Sequence, residues 1–164
     1  MENKDLHIFV GFKGGLGKSK IAKHIFPSII YKVSGIKNFN IVEIDDTETE
    51  DVWNSEYITF KKFSVDDYKN GIVQLQSTLI NDSVTEILDI GGGKEKVLKI
   101  LEQLKQMDLH LFYNLKFYVP TNKDATIFNS TKSTLETIYS MFNVKANLIY
   151  NRVFTDYKKE FKTF

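Results

Sequence analysis

Lys13-Gly14-Gly15-Leu16-Gly17-Lys18-Ser19 follows a short apolar run, Leu6 to Phe12. It precedes a stretch in which Ile21, Ala22, Ile25, Ile29 and Ile30 recur at roughly helical spacing. Strand, glycine loop and helix in that order build a phosphate-binding turn. The glycines let backbone N–H groups close around phosphate oxygens, and the helix N-terminus supplies positive potential. In such a turn Gly14, Gly15, Leu16, Gly17, Lys18, Ser19 and Lys20 line the nucleotide. Lys18 reaches the outer phosphates, and the Ser19 hydroxyl is placed to ligate Mg²⁺.

Outward from that unit, further strand-like runs alternate with helical ones. Asn40 to Ile44 ends in Asp45-Asp46, and Tyr57 to Phe60 is a short third strand. From Val65 to Ile80 the residues Tyr68, Ile72, Leu75 and Leu79 fall on one helical face, and Val84 to Ile90 is a strand ending in three glycines. Val97, Leu101 and Leu104 mark a helix, and Leu109 to Val119 contains a strand stopped by Pro120. Leu135, Ile138, Tyr139 and Phe142 are helical again, and Ala146 to Tyr150 is the last strand. This alternation predicts an α/β fold, a doubly wound and mostly parallel sheet with helices on both faces. No repeat, low-complexity tract or linker divides residues 1–164, so one nucleotide-binding domain is expected. Polar chemistry gathers just past the strands, where doubly wound sheets bind ligands.

Composition narrows the function. The 42% hydrophobic content suffices for a sizeable core, and a formal net charge of +1 gives no long-range pull on nucleic acid or anionic lipid. Non-specific DNA contact stays open only through a local patch. The absence of cysteine excludes disulfides, thiolate zinc sites and thiol catalysis. No signal peptide or membrane span is visible, so the expected location is the cytoplasm, without membrane association. His7, His24 and His110 are scattered without metal-ligand spacing.

Three further segments carry chemistry. Ile41-Val42-Glu43-Ile44-Asp45-Asp46 brings a carboxylate to a strand end, as does Ile87-Leu88-Asp89-Ile90-Gly91-Gly92. Leu148-Ile149-Tyr150-Asn151-Arg152-Val153 brings an amide to another. A carboxylate beside the terminal phosphate positions water for phosphoryl transfer, and a second one holds Mg²⁺. Either could also be an ordinary solvated acid or turn residue at a strand terminus.

The ordinary Walker A pattern asks for glycine five residues before Gly17, where this chain has Phe12. The loop instead resembles the deviant Walker A pattern Lys-Gly-Gly-x-Gly-Lys-Ser/Thr of the ParA and MinD ATPases, a family that also takes in nitrogenase iron protein-like members. The resemblance implies that Lys13 is the signature lysine, which reaches across an ATP-sandwich homodimer to the partner's phosphates. It implies that Glu43 and Asp45 are the acids of a Walker A′ segment, with the later Trp53 in its usual place, and that Asp45 orients the attacking water. Thr47-Glu48 replaces the family's common Pro-Gln. Asp89 becomes the Walker B acid that holds Mg²⁺, through a water, with the glycines after it sensing the γ-phosphate. Asn151, beside Arg152, is either the adenine-reading residue or a simple turn asparagine.

These features lead to the expectation of a slowly hydrolysing, Mg²⁺-dependent ATPase that binds ATP and ADP. It would switch between monomer and dimer, be stimulated by a protein partner, and position plasmid DNA or other cargo in partition or conjugation. A small-molecule kinase or ligase on the same scaffold, or a scaffold that binds nucleotide without hydrolysis, are the alternatives.

Overall fold

The computed structural model describes residues 3–46, 55–78, 81 and 83–151. Strand β1 (Lys4–Phe9) leads into a continuous helical segment, α1, over 18–34; β2 (Asn38–Ile44) and β3 (Ile58–Phe63) follow. Then come α2 (Tyr68–Gln76), β4 (Val84–Ile90), α3 (Lys94–Gln106), a 3₁₀ turn at Leu109–Leu111, β5 (Tyr113–Thr121), α4 (Ala125–Phe142) and β6 (Asn147–Tyr150).

The six strands form one sheet in the order β3-β2-β4-β1-β5-β6, and every pairing is parallel. After β1 the chain moves toward β2, across β4; after β4 it moves the other way, toward β5, across β1. The carboxyl ends of β1 and β4 therefore flank the point where the winding reverses, and a crevice opens there.

Alternation along the strands builds a core on each face. Leu6, Ile8, Val42, Ile44, Leu88, Ile90 and Phe117 pack with Ile72 of α2, Leu101 of α3 and Ile138 of α4. On the opposite face Phe9, Ile41, Phe60 and Ile87 pack with Ile21 and Ala22 of α1. Helices thus cover both faces, as the sequence pattern requires. β2 and β4 are buried along nearly their whole length, which is why they read as continuous apolar runs rather than alternating ones.

Three sequence expectations change. The stretch 18–34 is helical, but Ile21–Ile25 is a π-helical turn, and Pro27 opens the α-helix Phe26–Ser34 that follows. Proline has no N–H for a carbonyl one turn back, and a π-turn relieves that conflict. The extra residue rotates the downstream face, so Ile25 and Ile29 lie half exposed to solvent rather than in the core. Tyr139 of α4 is likewise exposed. Finally, Pro120 does not stop β5, which runs to Thr121. The backbone N–H of Val10 donates to Tyr118 O, so Pro120, two residues on, turns its missing N–H toward a β1 that has already ended. Leu79, Trp53, Thr47, Glu48 and Arg152 lie outside the described residues.

Candidate functional site

The loop after β1 turns twice through left-handed backbone, at Gly15 (φ 79°) and at Gly17 (φ 72°), the residue that caps α1. A side chain there would be strained, which accounts for glycine at both positions. The loop, Asp45 and residues 91–93 enclose a cleft of about 470 Å³ at the crevice between β1 and β4.

Inside the cleft Lys18 Nζ is ion-paired with Asp89 Oδ1. Asp89 is fully buried at the end of β4, and its second oxygen, Oδ2, has no hydrogen-bond partner. An unpaired carboxylate oxygen is costly to bury, and a hard cation is one group that could satisfy it. Mg²⁺ is the metal this loop implies, and the residues fit it. Asp89 Oδ2 is a hard oxygen donor buried behind Lys18, which lines the cleft, and Ser19 stands in the first turn of α1 within that cleft.

Asp45 follows β2, its backbone N–H donating to Phe63 O at 3.0 Å. Its carboxylate lies directly over Gly91: a Cβ at position 91 would sit 2.0 Å from Asp45 Oδ2. Glycine at 91 is therefore what lets this acid enter the cleft. The next residue, Asp46, pairs with Lys96 at 2.7 Å and accepts from Val65 N–H at 2.8 Å. Those bonds, the lysine's first, hold its carboxyl below the usual carboxylate range. They tie the loop after β2 to the first turn of α3.

Lys13 points elsewhere. Its Nζ donates to Thr126 Oγ1 at 2.9 Å, at the start of α4. Asp124 caps that helix, accepting from the backbone N–H of Thr126 at 2.8 Å and of Ile127 at 3.3 Å. The Thr126 hydroxyl and these two amides keep the Asp124 carboxyl below its ordinary range. Asn151 ties β6 to the loop: its Nδ2 donates to Leu16 O at 3.0 Å and its backbone N–H to Thr121 O at 2.8 Å. In this arrangement the amide spends a donor on the loop backbone. Arg152, its expected companion, lies outside the described residues.

Sequence reasoning missed a row of charge. Lys62 of β3, Glu43 of β2 and Asp89 of β4 are successive register partners, continued by Phe9 and Tyr118. Glu43 is buried and pairs with Lys23 of α1 through Oε2 and with Lys62 at 3.6 Å through Oε1. Neither oxygen has an aligned hydrogen bond, so charge alone holds it. Strand register decides these neighbours, and no spacing within the sequence reports it.

The fold is the three-layer α/β architecture of the P-loop nucleoside triphosphatases, an all-parallel sheet between helices. Two solved structures from Aquifex aeolicus are similar to this chain. The MinC:MinD cell division protein complex matches with a TM-score of 0.59 and 11% identity, over 90% of this chain and 69% of that one. The MinD cell division protein matches with a TM-score of 0.57 at the same identity and coverage. No family model and no curated protein sequence matches the chain.

Proposed function

We propose that this protein is an ATP-dependent dimerisation switch of the ParA/MinD kind, which binds and slowly hydrolyses ATP with Mg²⁺. The observation that carries the reading is the Lys18–Asp89 pair beneath the glycine loop, with Asp89 Oδ2 buried and unpaired. A lysine closed on the acid of the neighbouring strand is a cation standing where a phosphate-bound cation belongs.

On this reading, the triphosphate draws Lys18 away from Asp89, exchanging a carboxylate partner for phosphate oxygens. Asp89 and Ser19 would hold Mg²⁺, which when bound would neutralise charge on the phosphates. Asp45, aimed into the cleft across Gly91, accepts a hydrogen bond from the attacking water and orients it in line. The loop 91–93, in contact with Asp45 and next to α3, senses whether the γ-phosphate is present. Lys13 leaves Thr126 and reaches the phosphates of a second copy, a role like that of an arginine finger. Dimer formation is thereby conditional on ATP, and hydrolysis resets it. A partner that stimulates hydrolysis, and plasmid or other cargo, follow from the sequence resemblance and belong to the same proposal.

The test is nucleotide binding by calorimetry. Wild-type protein should bind ATPγS with Mg²⁺, and Lys18→Ala should weaken it by about tenfold or more, the loss of a charge-assisted contact. Equal affinity in the two proteins would remove the Lys18 assignment and with it the reading.

A further inference from the structure

Glu43 and Asp89 stand side by side on β2 and β4, in register and on the same face of the sheet. Neighbouring strands place such residues about 5 Å apart. Both are buried, so two unscreened carboxylates would repel strongly there. Each is neutralised by a lysine of the same helix, Asp89 by Lys18 and Glu43 by Lys23, while Lys62 approaches Glu43 from the edge strand β3. Lys23 lies inside the π-turn Ile21–Ile25, and its Nζ sits 4.8 Å from the centre of the Phe60 ring, a second attractive contact for the cation.

The two helix lysines differ in what they can leave. Lys18 borders the cleft and has phosphate as an alternative partner, whereas Lys23 is enclosed by Glu43 and Phe60. Once Lys18 moves, Asp89 faces its cation against a fixed background of one anion and two cations.

We infer that Lys23, with Lys62, is a positioning residue: clamped on Glu43, it sets the negative field at Asp89 and so the affinity of the site for a divalent cation. Glu43 is in consequence the anchor of Lys23 and not a second metal-binding carboxylate. This rests on the nucleotide-site reading above and adds the control of its metal affinity.

The sign of each substitution follows from Coulomb's law. Removing Lys23 leaves more negative charge beside Asp89 and tightens cation binding. Removing the charge of Glu43 leaves Lys23 unpaired next to Asp89, where it competes with the cation and weakens it. The experiment titrates MnCl₂ into ATPγS-loaded wild type, Lys23→Gln, Lys62→Gln and Glu43→Gln, reading free Mn²⁺ by electron paramagnetic resonance. The expected result is about three- to tenfold tighter binding in Lys23→Gln, a smaller shift of the same sign in Lys62→Gln, and a comparable weakening in Glu43→Gln. A merely structural role would move all three in one direction. That outcome, or no shift, overturns the inference. Should Glu43→Gln fail to fold, Lys62→Gln, on an edge strand and partly solvated, carries the test against wild type. Wild type that retains no ATPγS removes the nucleotide reading itself, and this inference with it.

Discussion

Gly91 shows how much a single position can decide. Its missing side chain is the space the Asp45 carboxylate occupies, so Gly91→Ala must push that carboxylate out of the cleft. ATP turnover should fall by about a hundredfold, the scale of a lost proton-handling contact, while ATPγS affinity stays within about threefold because the phosphate loop is untouched. Turnover at the wild-type level would detach Asp45 from the chemistry. Thr126 offers a milder probe. It holds Lys13 through one exposed hydrogen bond, a contact worth about 0.5–1 kcal/mol. Thr126→Val should lower the protein concentration at which ATP drives dimerisation by about two- to fivefold, measured by sedimentation. A raised threshold would mean that Thr126 assists Lys13 rather than restrains it.

Among the elements, the end of the sheet opposite the cleft is locked by a buried polar network. Glu86 of β4 accepts from Lys4 Nζ at 3.0 Å, from Asn40 Nδ2 at 2.8 Å and from the Thr78 hydroxyl. Lys4 also donates to the carbonyls of Thr78 and Asn81, both at 2.9 Å, and so joins β1 to the segment after α2. Glu86→Ala would strand a mostly buried lysine and should cost about 3–5 kcal/mol in urea unfolding; a loss below about 1 kcal/mol would mean that the network is not a lock. At this scale the sequence was readable where one face of an element decides it. Tyr68, Ile72 and Leu75 mark α2, and Val84–Ile90 is a strand with the bounds the apolar run suggested. It was not readable where neighbours decide. The π-turn before Pro27 sends Ile25 and Ile29 outward, and Pro120 is tolerated because β1 has ended beside it. The site divides the same way: the glycine loop, Asp45 and Asp89 are consecutive motifs at strand ends. The Lys62–Glu43–Asp89 row and the Lys13–Thr126 contact exist only once the strands are in register.

For the whole molecule, a formal charge of +1 keeps long-range electrostatics weak, so the pH response of stability comes from individual buried groups. His7 is the clearest. Packed against Phe26 and Tyr118, its imidazole is lowered to about 4, chiefly by burial. The unfolded chain takes up this proton near pH 6.5 while the folded chain resists until about 4. Stability from this group is therefore complete above pH 6.5 and drains as the pH falls through that window, by up to about 3 kcal/mol. His7→Phe should flatten the decline in thermal stability between pH 6.5 and 4, and an unchanged slope would place the acid sensitivity elsewhere. No helix among the described residues is long and apolar enough to cross a membrane. A dimerisation switch is defined by the assembly that ATP creates. The most direct measurement is mass by light scattering in Mg²⁺ with ATP or ADP, for wild type, Asp45→Ala and Lys13→Ala. The expected result is a wild-type dimer with ATP alone, a dimer that persists in Asp45→Ala, and a monomer throughout in Lys13→Ala. A wild-type protein that binds ATP yet stays monomeric, with Lys13→Ala indistinguishable from it, would contradict the dimerisation switch.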